Sequence, residues 1–299
     1  MSYFINLRAR PGGGGVRDRP TVLRAAFADG RAAIADPDVP AAGFSADLRG
    51  RDVVFAVHGF NVDQGDGLNR LSNWETLLQW GPQFFFVGVL WPGDSSLLGP
   101  LCYPGEGRTA MECGKLLAAL IASAVADHAS TISFVSHSLG ARLVLETVRA
   151  LECSIPVANL ALMAGAINDD CLVNEYAAAA QRAGKVSLLA SLKDDVLARA
   201  FPVGNLFEGI LDRGHPYWST ALGHRGPSRL VPNRPLGTYQ IPRNWRFGHH
   251  SYLEMDPPLV PRLKPDPVVP PAGTPPPASG EAWRPSWSAA FVSARFNNP

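Results

Sequence analysis

The sequence has no apolar run approaching the ~18 residues that a membrane-crossing helix requires, so no transmembrane segment is expected. It also lacks a charge excess, with 27 Lys and Arg against 26 Asp and Glu for a net +1. Chains that grip nucleic acid or an anionic membrane carry a clear basic surplus, so neither partner is expected. Cysteine is scarce: Cys102, Cys113, Cys153 and Cys171, with no C-x-x-C pair. That removes the spacing of zinc ribbons and thioredoxin-like sites and leaves free buried thiols as the expectation. The spacing of Cys102 and Cys113 leaves a bridge between those two open. Met1 to Arg10 is mixed in polarity and is followed by Gly12-Gly13-Gly14-Gly15, not by an apolar run and a small-residue cleavage site. No secretory signal is read there, and a cytoplasmic location is the expectation. No internal repeat is visible.

What remains is a chain of 299 residues, 46% hydrophobic, long enough to bury roughly three quarters of its unfolded surface. Five short apolar runs recur: Val53–Val57, Phe84–Leu90, Ile132–Val135, Leu160–Met163 and Val186–Leu189. Runs this short and this apolar suit strands buried on both faces. Between them apolar residues recur at helical spacing: Leu68, Leu71, Trp74 and Leu77, then Leu116, Leu117, Leu120 and Ile121, then Leu143, Val144, Thr147 and Val148. Glu175 to Ala183 is Ala-rich and also reads as helix. Alternation of this kind predicts an α/β fold, with a mostly parallel central sheet and helices on both faces. Tyr3–Arg10 and Phe44–Leu48 read as antiparallel edge strands, and Thr21–Ala35 as a small helix. Residues 1–255 are taken as one domain, with 201–247, rich in Pro, Gly, Arg and aromatics, as an irregular cap or lid. Residues 256–299 form a Pro-rich extension through Pro275-Pro276-Pro277, ending in an aromatic segment, Trp283 to Phe296, able to dock on the body.

The chemistry concentrates where the third run ends, at Ser136-His137-Ser138-Leu139-Gly140. A strand, a sharp turn with Ser at its apex and a helix match the nucleophile elbow G-x-S-x-G, with Ser136 in place of the first Gly. A serine needs a base to take its proton, and the base needs an acid to fix its tautomer. In this order of elements the acid follows a later strand, where Asp194 is the first choice and Asp195 the alternative. The base comes last, at His249-His250, with His250 preferred and His249 the alternative. A metal at these adjacent histidines has no supporting spacing, and no cofactor is expected. Donors for the developing oxyanion would be the backbone N–H of Leu139 and, from the loop His58-Gly59-Phe60-Asn61, that of Phe60. His137, Trp91 and Asn61, which flank these motifs, are candidate substrate contacts.

Taken together, Val57-His58-Gly59-Phe60-Asn61, Trp91-Pro92-Gly93, Ser136-His137-Ser138-Leu139-Gly140, Ser191-x-x-Asp194-x-Val196-Leu197 and His250-Ser251-Tyr252 resemble a bacterial esterase- and lipase-like branch of the α/β-hydrolase superfamily. The resemblance spans residues 52–253. It implies the three-layer α/β-hydrolase fold, Ser138 as nucleophile, Asp194 as acid, His250 as base, and Phe60 and Leu139 as oxyanion donors. The activity expected is cleavage of a small-molecule carboxylic ester with an apolar acyl or alcohol group. Acyl transfer or thioester cleavage on the same triad, and a non-catalytic binding protein on the same fold, are the alternatives.

Overall fold

The structure, a computed structural model, describes residues 1–12, 14–94, 103–199, 201, 220–231, 236–245, 247–253 and 283–297. Among the described residues nine strands form one open sheet: β1 (Ser2–Arg8), β2 (Val16–Ala28), β3 (Arg31–Asp36), β4 (Asp52–Val57), β5 (Phe84–Leu90), β6 (Thr131–His137), β7 (Val157–Met163), β8 (Ala183–Ser191) and β9 (Leu236–Ile241), in the order β3-β2-β1-β5-β4-β6-β7-β8-β9. From β1 through β9 all neighbours run parallel, while β2 and β3 fold back antiparallel at one edge. The five apolar runs are β4 to β8. They are buried because helices cover both faces, which is why their sequences show apolar continuity and not alternation.

Helices α1 (Ala41–Asp47), α3 (Tyr103–Ala124), α4 (Gly140–Ala150) and α5 (Ala177–Arg182) pack together in one layer, and α2 (Gln64–Leu77) pairs with the C-terminal helix Trp283–Asn297 in the other. This is the three-layer α/β arrangement expected. Gly114 lets α3 approach α4, because a Cβ there would lie 2.8 Å from the Leu143 carbonyl. No described helix is long and apolar enough to cross a membrane. Cys113 and Cys171 are buried free thiols and Cys153 a half-buried one; Cys102 lies outside the described residues.

Tyr3–Arg10 is a strand as expected, β1, but an inner one, antiparallel to β2 and parallel to β5; the other two N-terminal expectations are overturned. Thr21–Ala35 is not a helix but most of the β2–β3 hairpin, and Phe44–Leu48 is not a strand but mostly α1. The hairpin turns on Asp29-Gly30, both at positive φ (52° and 74°), the backbone of a two-residue turn whose twist matches paired strands. Pairing with β1 outweighs the helical propensity of this Ala-rich stretch, since Phe4↔Leu23 and Ile5↔Val22 bury side chains that a free helix would leave wet. Pro40 precedes α1, where a proline's missing N–H costs nothing.

The expected cap is also revised. Leu236–Ile241 is a strand parallel to β8 and not part of an irregular lid. It is a half-buried edge strand with a polar Thr-Tyr-Gln centre, so it lacks the apolar run by which the inner strands were recognised. Phe207, Tyr217, Trp218 and His215 of that expected cap, and the Pro-rich stretch 256–279, lie outside the described residues. The C-terminal aromatic segment does dock: Trp287 and Phe291 are buried against Tyr239, Trp245 and Phe247.

Candidate active site

Four segments meet at the carboxyl ends of the parallel strands, the edge where open α/β sheets gather ligands. β6 ends at His137, Ser138 makes the turn, and α4 starts at Gly140. Ser138 sits at φ +55°, a left-handed conformation that costs a non-glycine residue about 1–3 kcal/mol. The surroundings hold it there: its N–H donates to the Met163 carbonyl (3.0 Å) and its carbonyl accepts from Ala166 (3.1 Å). Space is tight around the turn. A Cβ on Gly59 would lie 2.9 Å from the Ser138 Cβ, and one on Gly140 would lie 2.7 Å from the His58 carbonyl. Both positions therefore require glycine for close approach and not for a special φ. The left-handed residue of the first loop is Asn61 (φ +58°), whose N–H donates to the Gly93 carbonyl at 2.6 Å. Ser136, in the place of the elbow's first glycine, is buried, and its hydroxyl has no partner among the described residues.

Asp194 is fully buried just past β8. One carboxylate oxygen accepts from the Leu197 N–H (2.9 Å) and so caps the short helix that starts at 195. The other accepts from His249 Nδ1 at 2.7 Å. Asp195 points outward and faces Arg199. The loop after β9 supplies His249, whose Nε2 accepts from the Ser138 hydroxyl at 2.8 Å. With Nδ1–H committed to Asp194, the neutral ring presents its lone pair to the serine.

The preference for His250 is thus corrected: the ring between Asp194 and Ser138 is that of His249, while His250 is exposed and its ring plane stands at 84° to that of His249. Both lie in one 3-10 turn, His249–Tyr252, where successive side chains diverge by about 120°, so only one of the two can face the serine.

Two of the three expected substrate contacts are structural. His137 is buried, and its Nε2–H donates to the His249 carbonyl at 2.7 Å, so it holds the loop that carries His249. Burial, with the neighbouring His249 second, pushes its pKa well below the usual value. Trp91 is fully buried; its indole N–H donates to the His58 carbonyl (2.8 Å) and its ring stacks on His58. Asn61, the third, is exposed on its loop. The N–H groups of Phe60 and Leu139 meet no backbone acceptor among the described residues.

Arg8, which sequence reasoning passed over, is buried under the first loop. Its guanidinium donates to the carbonyls of Trp91 (2.8 Å) and Val62 (3.2 Å) and pairs with Asp94. It therefore ties β1 to the segments after β4 and β5.

His58 is neutral by the same kind of wiring. Its Nδ1–H donates to the Gly59 carbonyl (2.9 Å) and its Nε2 accepts from the Trp91 N–H (3.2 Å), so a second proton has no acceptor. Burial lowers its pKa to about 3, Arg8 pushes the same way, and the Gly59 carbonyl opposes them. An unfolded histidine protonates near about pH 6.5. From there down to about pH 3 the unfolded chain binds a proton that the folded chain refuses, so stability falls as pH falls. The expected loss is up to about 1.4 kcal/mol per pH unit for this histidine. Urea midpoints of wild type and His58→Asn followed from pH 7 to 4 test it: the variant's slope should be shallower, and equal slopes would refute the assignment.

A family-model match agrees with this architecture. Residues 42–211 match the family model described as an alpha/beta hydrolase of unknown function (DUF900). No curated protein matches the chain. Among solved structures, the chain is similar to the crystal structure of esterase PE8, at 20% identity over 67% of this chain and 86% of that one, with a TM-score of 0.36. It is also similar to the ydeN gene product from B. subtilis (13% identity, 66% and 87%, TM-score 0.36). Acetyl xylan esterase 1 from Thermoanaerobacterium sp. JW/SL YS485 is a third (14% identity, 79% and 76%, TM-score 0.38).

Proposed function

The chain belongs to the DUF900 family of α/β hydrolases, and from that premise we propose that it is a serine hydrolase that cleaves carboxylic esters through an acyl-enzyme. The observation that carries this reading is the relay Asp194–His249–Ser138, two hydrogen bonds of 2.7 and 2.8 Å among three buried side chains. In it, the Ser138 oxygen attacks the ester carbonyl carbon as His249 Nε2 takes the hydroxyl proton. Asp194 steadies the imidazolium that forms. The N–H groups of Phe60 and Leu139, without backbone acceptors among the described residues, stand ready for the oxyanion. His249 then returns its proton to the leaving alcohol. Water, deprotonated by the same ring, attacks the acyl-serine, and the carboxylic acid departs with Ser138 restored.

The test is hydrolysis of p-nitrophenyl esters from acetate to decanoate by the purified chain, with Ser138→Ala as the blank. Turnover of at least one ester, with a burst of nitrophenol stoichiometric with enzyme if deacylation is slow, is the expected result. Hydrolysis that persists undiminished in Ser138→Ala would overturn the reading.

A further inference from the structure

The turn that carries His249 is not held by the family core alone. On one side His137 grips the carbonyl of His249 itself. On the other side lies the C-terminal helix, which reaches the body after the stretch 254–282 and lies, like the turn, beyond the residues that match the family model. Ser288 of that helix is fully buried. Its oxygen lies 2.6 Å from the Tyr252 carbonyl, at the end of the His249 turn, and 2.8 Å from the Pro285 carbonyl. A hydroxyl has one proton to give, and the shorter contact takes it. The same oxygen accepts the indole N–H of Trp74, on α2, at 3.0 Å. One buried atom thus joins α2, the C-terminal helix and the base turn. Around it Trp287 meets Trp245 and Phe247 edge-on at 5.0 and 5.7 Å, and Arg284 donates to the Trp245 carbonyl at 3.4 Å. The segment before His249 is covered by the same helix that fastens the segment after it.

We propose that Ser288 is a positioning residue of the active site: through the Tyr252 carbonyl it fixes the height of the His249 ring over Ser138, so the C-terminal helix is part of the catalytic apparatus and not an appendage. This rests on the serine-hydrolase reading. The physical reason is geometric. Proton transfer depends steeply on the alignment of Nε2 with the serine hydroxyl, and displacements near 1 Å from remote changes cost as much as about 100-fold. Ser288→Ala leaves both the Tyr252 carbonyl and the Trp74 indole N–H without their partner, and the turn relaxes.

The control is Ser293→Ala on the same helix. Ser293 is buried and its hydroxyl accepts the Gln79 N–H at 2.9 Å, far along the helix from the base turn. Both variants should lose thermal stability. Only Ser288→Ala should lose turnover, by about 10-fold in kcat with KM within about twofold, and react correspondingly more slowly with a fluorophosphonate. Trp74→Phe, which breaks the clasp from the body side, should follow Ser288→Ala and carries the test if that variant does not fold. Equal kcat in wild type, Ser288→Ala and Trp74→Phe would overturn the proposal. So would losses of kcat in Ser288→Ala and Ser293→Ala that track their losses of Tm equally. Wild-type protein is labelled first: absence of a Ser138 adduct there refutes the hydrolase reading itself, and a normal adduct with unaffected variants refutes only the role of Ser288.

Discussion

His249→Ala is expected to lower kcat for any ester the chain turns over by about 10^6, as far as Ser138→Ala does, while His250→Ala stays within about twofold of wild type. The two residues are neighbours in sequence and identical in chemistry, so the contrast isolates geometry. His249 accepts the serine proton at 2.8 Å and is anchored by Asp194 at 2.7 Å, whereas the His250 ring turns to the surface. Residues that act as one relay fail together, so Ser138→Ala,His249→Ala should be no worse than either single variant. Steady-state kinetics on the best p-nitrophenyl ester decide it. A large loss in His250→Ala with little loss in His249→Ala would refute the assignment of the base.

Asp194→Asn should lower kcat by about 10^4, with Asp195→Asn unchanged. The asparagine can keep its carbonyl oxygen toward the Leu197 N–H and so preserve the helix cap, which keeps the fold. Its amide then turns N–H toward His249 Nδ1, where the carboxylate accepted. The imidazole answers by moving its proton to Nε2, and a ring with Nε2–H cannot take the serine proton. The loss is therefore one of tautomer and not of structure. Thermal midpoint and kcat measured together separate the two: a fallen kcat at a near-normal midpoint is expected, and a kcat within tenfold of wild type would contradict the role of Asp194.

The parts of the fold legible in the sequence were those under the strongest burial. β4 to β8 are covered on both faces, and that condition writes itself into the chain as short apolar runs. The edges were less legible because pairing decides them. Thr21–Ala35 became a hairpin through its partner β1 and the Asp29-Gly30 turn, a local signal that could have been read. The polar edge strand β9 left no such mark. At the site, Ser138 and Asp194 stood out because each follows a buried strand whose end fixes its location. The choice between His249 and His250 was not legible, because it depends on the rotation of one 3-10 turn, around which Ser191 holds the Phe247 carbonyl, His137 that of His249 and Ser288 that of Tyr252, from three distant parts of the chain. Arg8 was invisible for the same reason: a surface-type residue on a strand gives no hint that it ends beneath a loop more than fifty positions away.

The central claim, that this chain carries an activated serine whose base is His249, is tested most directly by reacting the folded protein with a fluorophosphonate probe and mapping the adduct by mass spectrometry. The account predicts a single adduct on Ser138 in wild type and in His250→Ala, and none over the same time in His249→Ala. A folded wild-type protein with no adduct on Ser138, or equal labelling of Ser138 in His249→Ala, would contradict it.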